Sequence, residues 1–451
     1  MSIQESIDRS PFSRRQVFIV GLCFVINAVE GFDLFVTAFS ASSVVAVWGL
    51  TSAQLGILLS ATPVGMAIGS LFLAPLADQL GRRPLIVWCL ALSGAGMVLA
   101  VVSPSYTVLL VARALTGLGI GGLAPGLPVI LAEYTPSRRR GTTIMFSSAG
   151  PALGGVIGGA TSAALVGAYG WRVPYLVGAV ATLVLLGVVI AAMPESITFL
   201  VARRPRNALA RANRLLAQIR QPELAELPAR TVVSGPARSM WTGVLGRGAT
   251  TKTLFIWVAF FCTVGVFFFA NSWTPRLLQA SGASAVQAAQ SGILLNAGGF
   301  VATVLFAALA LKVSTRLLVV MALFGVGGAL LLMNVVLGNL GGVRGVAILL
   351  GLCINASTAG IYAIVPGLYP ALARMTAVGW AMGAGRIGAI LAPLLAGVLL
   401  DRRWTPGDLL VLFAAPAAVA GLVVLVVTRA GPSRWLPEAA PSAPLTESVN
   451  S

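Results

Sequence analysis

The 451-residue sequence contains no histidine and only 13 acidic residues. With histidine absent, no side chain has an ordinary titration point near neutrality, so any proton handling falls to carboxylates. Cysteine is sparse and scattered. Cys23, Cys89, Cys262 and Cys353 stand singly in apolar stretches, which excludes a disulfide framework and a cysteine-rich metal site. Charge of either sign is scarce, at 10% of residues, where a soluble chain carries about 25%. No metal-ligand cluster and no activated nucleophile stands out, so neither an enzyme nor a metal or other cofactor is expected.

What fills the chain is apolar: 57% of residues are hydrophobic and the mean hydropathy is +0.93. Runs of about 20 apolar residues recur from end to end, long enough to cross a bilayer as helices, whereas a β-barrel would show short alternating segments. The pattern predicts an all-α polytopic membrane protein with twelve spans, at 16–39, 52–76, 85–103, 107–132, 142–168, 174–193, 253–271, 287–311, 317–337, 345–368, 376–400 and 409–428. This divides the chain into a tail over 1–15, a six-helix half over 16–194, a hydrophilic linker over 195–250, a second half over 251–428 and a tail over 429–451. The polar first residues lead into a span without a small-residue cleavage site, so no cleaved signal peptide is read. The linker is rich in Arg and Pro and has an amphipathic helical stretch over 208–219.

The net charge of +17 invites a nucleic-acid partner, but its distribution argues against one. Arg172, Arg276, Arg344, Arg402 and Arg403 fall opposite the N-terminus, and Arg113 and Arg386 lie within spans. Every other Lys and Arg falls on the N-terminal side, which is the positive-inside pattern of an inner-membrane protein with both termini cytoplasmic. The basic excess is therefore topology, with contact to anionic lipid, and the bilayer is the macromolecular partner.

Within the first span, Glu30-Gly31-Phe32-Asp33 sets two carboxylates three residues apart. An ionisable group at membrane depth costs about 2.5–3.5 kcal/mol on insertion scales and marks a functional site. Residues i and i+3 share a helix face, so both acids are expected to look into one space. Arg113, in span 4 at the depth of Asp33, is the natural counter-ion, with a helix brace as its other reading. Asp33, Glu30 and Arg113 are thus the proton-coupling candidates, approach of Arg113 driving proton release and its withdrawal permitting reloading. Gly117, Gly119, Gly121 and Gly122 of the same span let another backbone come close.

Span 2 ends in Ala74-Pro75-Leu76-Ala77-Asp78-Gln79-Leu80-Gly81-Arg82-Arg83, a tight turn whose Asp78, Gly81 and Arg82 can latch one conformation. Glu133 and Arg138, where span 4 gives way to span 5, are candidates for the same gate. The turn resembles the loop signature of the major facilitator superfamily, although Ala74 and Gln79 stand where that signature has glycine and arginine. Gly150-Pro151-Ala152-Leu153-Gly154-Gly155 in span 5 resembles a signature of proton-coupled drug antiporters, and Pro194-Glu195-Ser196 resembles the exit motif of sugar-type and organic-anion members.

The halves repeat weakly: Tyr134 and Arg139 align with Tyr369 and Arg374, and Trp171 and Pro174 with Trp404 and Pro406. The segment opposite Glu30–Asp33, residues 265–268, has no acid. Two pseudo-symmetric six-helix halves with a site between them, the major facilitator fold, is the expected architecture.

Asn271-Ser272-Trp273-Thr274-Pro275 is expected to end span 7, and Tyr369-Pro370 leads to Gly379-Trp380 and Gly385-Arg386 in span 11. With Glu30-Gly-Phe-Asp33, these motifs resemble the aromatic acid:proton symporter family over residues 16–428, with Glu30 in place of its usual aspartate. The resemblance implies proton-driven uptake of a small organic acid, an aromatic carboxylate such as a benzoate, hydroxybenzoate or phenylpropanoid, by a monomer. Arg386, near the midplane, suits a carboxylate, with an interhelical brace as its other reading, and Asn271, Trp273, Asn296, Asn355 and Tyr362 can add hydrogen bonds or ring stacking or serve packing alone. Proton-coupled efflux, motivated by the span 5 signature, and a non-transporting membrane sensor are the alternatives.

Overall fold

The computed structural model describes residues 8, 12–124, 126–219, 221–227, 246, 249–310, 312–369 and 371–429. Among them, twelve helices are long and apolar enough to cross a membrane. Spans 1 to 6 are Arg14–Trp48, Ser52–Leu76, Arg82–Val101, Tyr106–Tyr134, Ser137–Tyr169 and Arg172–Ala192. Spans 7 to 12 are Thr250–Ala280, Ala285–Phe306, Thr315–Val336, Leu340–Leu368, Thr376–Asp401 and Pro406–Thr428. The expected tails, and linker residues 228–245, lie largely or wholly outside the described residues.

One local device starts three of these helices. Ser13, Thr51 and Ser284 each accept a hydrogen bond from the glutamine amide three residues on, and each glutamine side chain accepts one in return. The reciprocal bonds satisfy two of the backbone donors that a helix start leaves open.

Two span boundaries differ most from the sequence expectation. Span 1 continues past Phe39 to Trp48, and span 7 continues past Asn271 to Ala280. The extra turns contain Ser40, Ser42 and Ser43 in one case and Asn271, Ser272 and Pro275 in the other, which depress hydropathy without ending the helix. They are held by contact with each other, since the Ser42 hydroxyl bonds the Gln279 side-chain oxygen.

An even number of spans brings the linker and both chain ends to one end of the bundle, here the linker end. At the opposite end the halves are sealed. The Asp401 carboxylate at the end of span 11 accepts from the backbone N–H groups of Ser52 and Ala53 at 2.8 and 2.9 Å, capping span 2 of the other half. Gly56 and Gly397 allow these two helices to meet backbone to backbone: a Cβ on Gly397 would stand 2.3 Å from the Ser52 carbonyl oxygen. Deeper in, the Ser60 hydroxyl donates to the Ile390 carbonyl at 2.8 Å. Spans 5 and 8 form the second large contact between the halves.

Candidate functional site

Below this seal, between the halves, lies a cavity of about 520 Å³. That is within the range of about 300–1,000 Å³ typical of small-molecule clefts. Its wall includes Ile144, Ala310 and Thr315, at the linker ends of spans 5, 8 and 9, so it extends toward that end. Phe35, Phe267, Phe306 and Tyr362 supply rings, and Asn296 and Asn355 supply amides. Each amide donates one N–H to its own helix, to Gly292 and Gly351 at 3.0 and 3.1 Å, so its oxygen stays free of that bond. Asn296 fits because Gly155 of span 5 lies against it, and Asn355 because Gly299 does.

Three of the six residues expected to meet substrate therefore line one cavity: Asn296, Asn355 and Tyr362. Arg386 does not line it; its guanidinium donates to the Met66 sulfur at 3.7 Å and is close enough to Tyr362, which does, and to Glu30 for its charge to act on both. Among the described residues it has no carboxylate within 4.0 Å. Asn271 and Trp273 lie off the cavity. The Asn271 amide donates to the Phe267 carbonyl at 3.0 Å, and Trp273 is fully buried, its indole N–H donating to the Pro393 carbonyl at 3.1 Å. Trp273 ties span 7 to span 11, a packing role that a motif resemblance alone does not separate from ligand contact.

Both acids are buried in span 1, close enough for the charge of Asp33 to act on Glu30. Asp33 is 1% exposed and faces into the first half, where Ser93 of span 3 and Thr182 of span 6 donate to its Oδ2 at 3.2 and 3.1 Å. Its Oδ1 is buried without a hydrogen-bond partner, an open acceptor position in an otherwise satisfied shell. Glu30 is also buried, with Oε1 likewise unpartnered, and lies close enough to Asp33 and Cys89 of the first half and to Arg386 of span 11 for charge to act between them. Arg113 reaches Asp33 but bonds its backbone carbonyl rather than its carboxylate. The guanidinium also donates to the Met97 sulfur at 3.3 Å and lies 5.8 Å from the centre of the Tyr175 ring. Ser93 and Thr182 had no signal in the sequence, since lone hydroxyls in apolar spans commonly bond their own helix.

Span 5 packs backbone to backbone against span 1 next to the acids. Cβ atoms on Gly31 and Gly154 would lie 2.2 Å from the Pro151 carbonyl oxygen and 1.9 Å from the Ala28 carbonyl oxygen. The Gly150-Pro151…Gly154-Gly155 segment thus brings the backbone of span 5 against span 1 beside Glu30. Among the described residues, no group of three or more histidine, cysteine or acidic side chains could hold a metal ion.

Comparison with known proteins places this geometry. Residues 23–354 match the Major Facilitator Superfamily. The chain belongs to that superfamily. It is a membrane transporter, not an enzyme, and its relatives are named for aromatic acids. It is 31% identical to the 4-hydroxybenzoate transporter of Pseudomonas putida, with 94% of this chain and 95% of the relative covered. It is 32% identical to the gallate transporter of the same organism, with 94% of each covered. The 3-(3-hydroxy-phenyl)propionate transporter of Escherichia coli is 28% identical, with 93% of this chain and 95% of the relative covered. Among solved structures, a bacterial homologue of the human lysosomal transporter Spinster, inward-facing and unoccupied, matches with a TM-score of 0.72 at 16% identity. The match covers 95% of this chain and all of that one. The D-xylose-proton symporter matches with a TM-score of 0.68 at 15% identity, over 94% of this chain and 98% of that one.

The superfamily loop signature between spans 2 and 3 is built into a cluster within the first half. Gly81 has φ of 103° and no side chain to cap span 3, so Glu195 caps it from beyond span 6. Its Oε1 accepts from the N–H groups of Arg82, Arg83 and Ser196 at 2.9, 3.1 and 2.9 Å. The Arg82 guanidinium pairs with Glu133 at 3.1 Å, and Glu133 accepts from the Ser196 hydroxyl at 2.9 Å. Gly81, Arg82 and Glu133 thus fall in one cluster, whereas Arg138 is exposed and outside these contacts, and the Asp78 side chain lies outside the described residues. Glu195 and Ser196 are the members that the spacing of the turn could not reveal.

Proposed function

We propose that this protein carries aromatic carboxylates together with protons into the cell, across an inner membrane, by alternating access. The observation that carries the proposal is the cavity itself, where four rings and two amides line one space at the boundary of the halves, with the charge of Arg386 acting on Tyr362 in its wall. The substrates named for the three relatives combine a ring, a carboxylate and ring hydroxyls. Rings stack on rings, amide oxygens accept from phenolic hydroxyls, and a guanidinium pairs with a carboxylate through two parallel hydrogen bonds.

With the linker end cytoplasmic, the sealed end faces outward and the cavity opens inward. In this reading Asp33 carries the proton and Glu30 responds to the substrate. An incoming carboxylate competes with Glu30 for the charge of Arg386, and Arg113 exchanges the Asp33 carbonyl for the Asp33 carboxylate as the proton leaves. The seal of spans 2 and 11 opens and the linker end closes in the opposite state.

The efflux reading loses its motivation, because the Gly-Pro segment of span 5 has a packing role against span 1. The test is uptake of labelled 4-hydroxybenzoate into proteoliposomes under an inward pH gradient, with benzoate, gallate and a non-aromatic acid as competitors. Accumulation that collapses with the gradient, blocked by aromatic acids alone, is the expected result. Absence of accumulation, or extrusion from preloaded vesicles only, overturns it.

A further inference from the structure

The linker helix and the arginines around the end of span 6 lie outside the cavity between the halves and enclose a second cavity of about 330 Å³. Four guanidinium side chains border it: Arg15 at the start of span 1, Arg83 at the start of span 3, and Arg211 and Arg214 on helix Ala208–Gln218. That helix docks through Ala208, Ala212 and Leu216, buried at four-residue spacing, with Arg211 and Arg214 left exposed beside the buried stripe.

The wall arginines are held in place. Arg15 donates to the Ala192 carbonyl at 2.7 Å and Arg83 to the Ile190 carbonyl at 2.5 Å, while the Nε–H of each is buried without a partner. One acid borders the same space, Glu195, and its Oε1 is already occupied by three backbone N–H groups. Positive charge is therefore in clear excess. Apolar side chains that face outward lie alongside: Val17 and Phe18 follow Arg15, and Ile190 precedes the cavity on span 6, all more than 40% exposed. A ligand that fits both features has an anionic head and an apolar body.

We propose that this cavity binds the headgroup phosphate of an anionic phospholipid, with the acyl chains along the Val17, Phe18 and Ile190 surface. Arginine forks match phosphate oxygens, and basic pockets at the cytoplasmic ends of spans collect such headgroups. The phosphate would join Arg15 and Arg83 of the bundle to Arg211 and Arg214 of the linker, so one lipid fastens the linker helix to the first half. The site is separate from the transport cavity and independent of what is transported.

The test is native mass spectrometry of the full-length protein loaded with phosphatidylglycerol or phosphatidylcholine, with and without excess inorganic phosphate. Wild type should retain one phosphatidylglycerol in preference to phosphatidylcholine, and excess phosphate should not displace it. Arg211→Ala with Arg214→Ala should weaken retention about thirtyfold, the combined weight of two interfacial arginines. Arg203→Ala with Arg206→Ala, which removes equal charge outside the cavity, should leave retention unchanged. Equal retention by the first pair, or equal retention of phosphatidylcholine, overturns the proposal. Displacement by inorganic phosphate overturns the lipid assignment in favour of a free-anion site.

Discussion

The two halves share an architecture and differ in what they bury. The first half encloses Glu30, Asp33 and Arg113 among its own helices. In the second, the only acids between Thr250 and Thr428 are Asp401 and Asp408, both at the sealed end. Asn296 and Asn355 of this half line the cavity instead, and the charge of Arg386 acts on Tyr362 in the same wall. Duplicated frames can thus divide labour, one half keeping an ionisable core and the other presenting donors and acceptors to the space between. In the proposed mechanism this places proton handling in the first half and substrate recognition mainly in the second.

The largest expected effect tests the first half. A pH gradient of one unit corresponds to about 1.4 kcal/mol, so each coupled proton supports about tenfold accumulation. Asp33→Asn should reduce that accumulation to none while exchange of labelled for unlabelled substrate across the membrane continues. Retained accumulation would remove the division of labour. Next comes the second half: Arg386→Ala should raise the substrate dissociation constant about ten- to a hundredfold, the weight of a charged hydrogen bond. Arg386→Lys should recover part of that, because a point charge lacks the planar fork. Equal affinity in all three proteins would move the carboxylate elsewhere.

A smaller effect concerns the seal between the halves. Asp401→Asn weakens the cap on span 2, a change of about 1 kcal/mol or fivefold in population. It should raise the labelling of a cysteine placed on the cavity wall by a membrane-impermeant reagent added at the sealed end. Unchanged labelling would make the cap incidental. Smallest is Asn355→Ala, which should reduce the preference for 4-hydroxybenzoate over benzoate about three- to tenfold by removing one neutral hydrogen bond. An unchanged preference would assign the hydroxyl to another group.

The twelve spans were legible because a bilayer demands length and apolarity, and both are properties of a local window. Where small polar residues lower hydropathy inside a continuing helix, as at Ser40–Ser43, the window stops short and only packing against span 7 explains the extra turns. The candidate site was legible in part. Glu30, Asp33, Arg113 and Arg386 announced themselves by cost, since charge at membrane depth requires a reason. Their partners did not. Ser93 and Thr182 are ordinary residues made specific by Asp33, and Glu195 meets Gly81–Arg83 across more than a hundred positions of chain. The i, i+3 spacing gave adjacency of the acids, but the neighbours decided which carboxylate is hydrogen-bonded: Ser93 and Thr182 donate to Asp33, while Glu30 Oε1 has no partner.

The bond from Arg113 to the Asp33 carbonyl has a consequence for how the protein is made. Span 4 leaves the ribosome with a buried-to-be arginine that costs about 2.5–3.5 kcal/mol to insert alone. The acceptor that offsets this cost is a backbone oxygen of span 1, already in the membrane, and so is present whichever side chain stands at position 33. Biogenesis of the first half is then protected from mutations of the coupling acid: Asp33→Asn should reach the membrane in wild-type amounts, and an inactive variant will be a transport defect rather than an assembly defect.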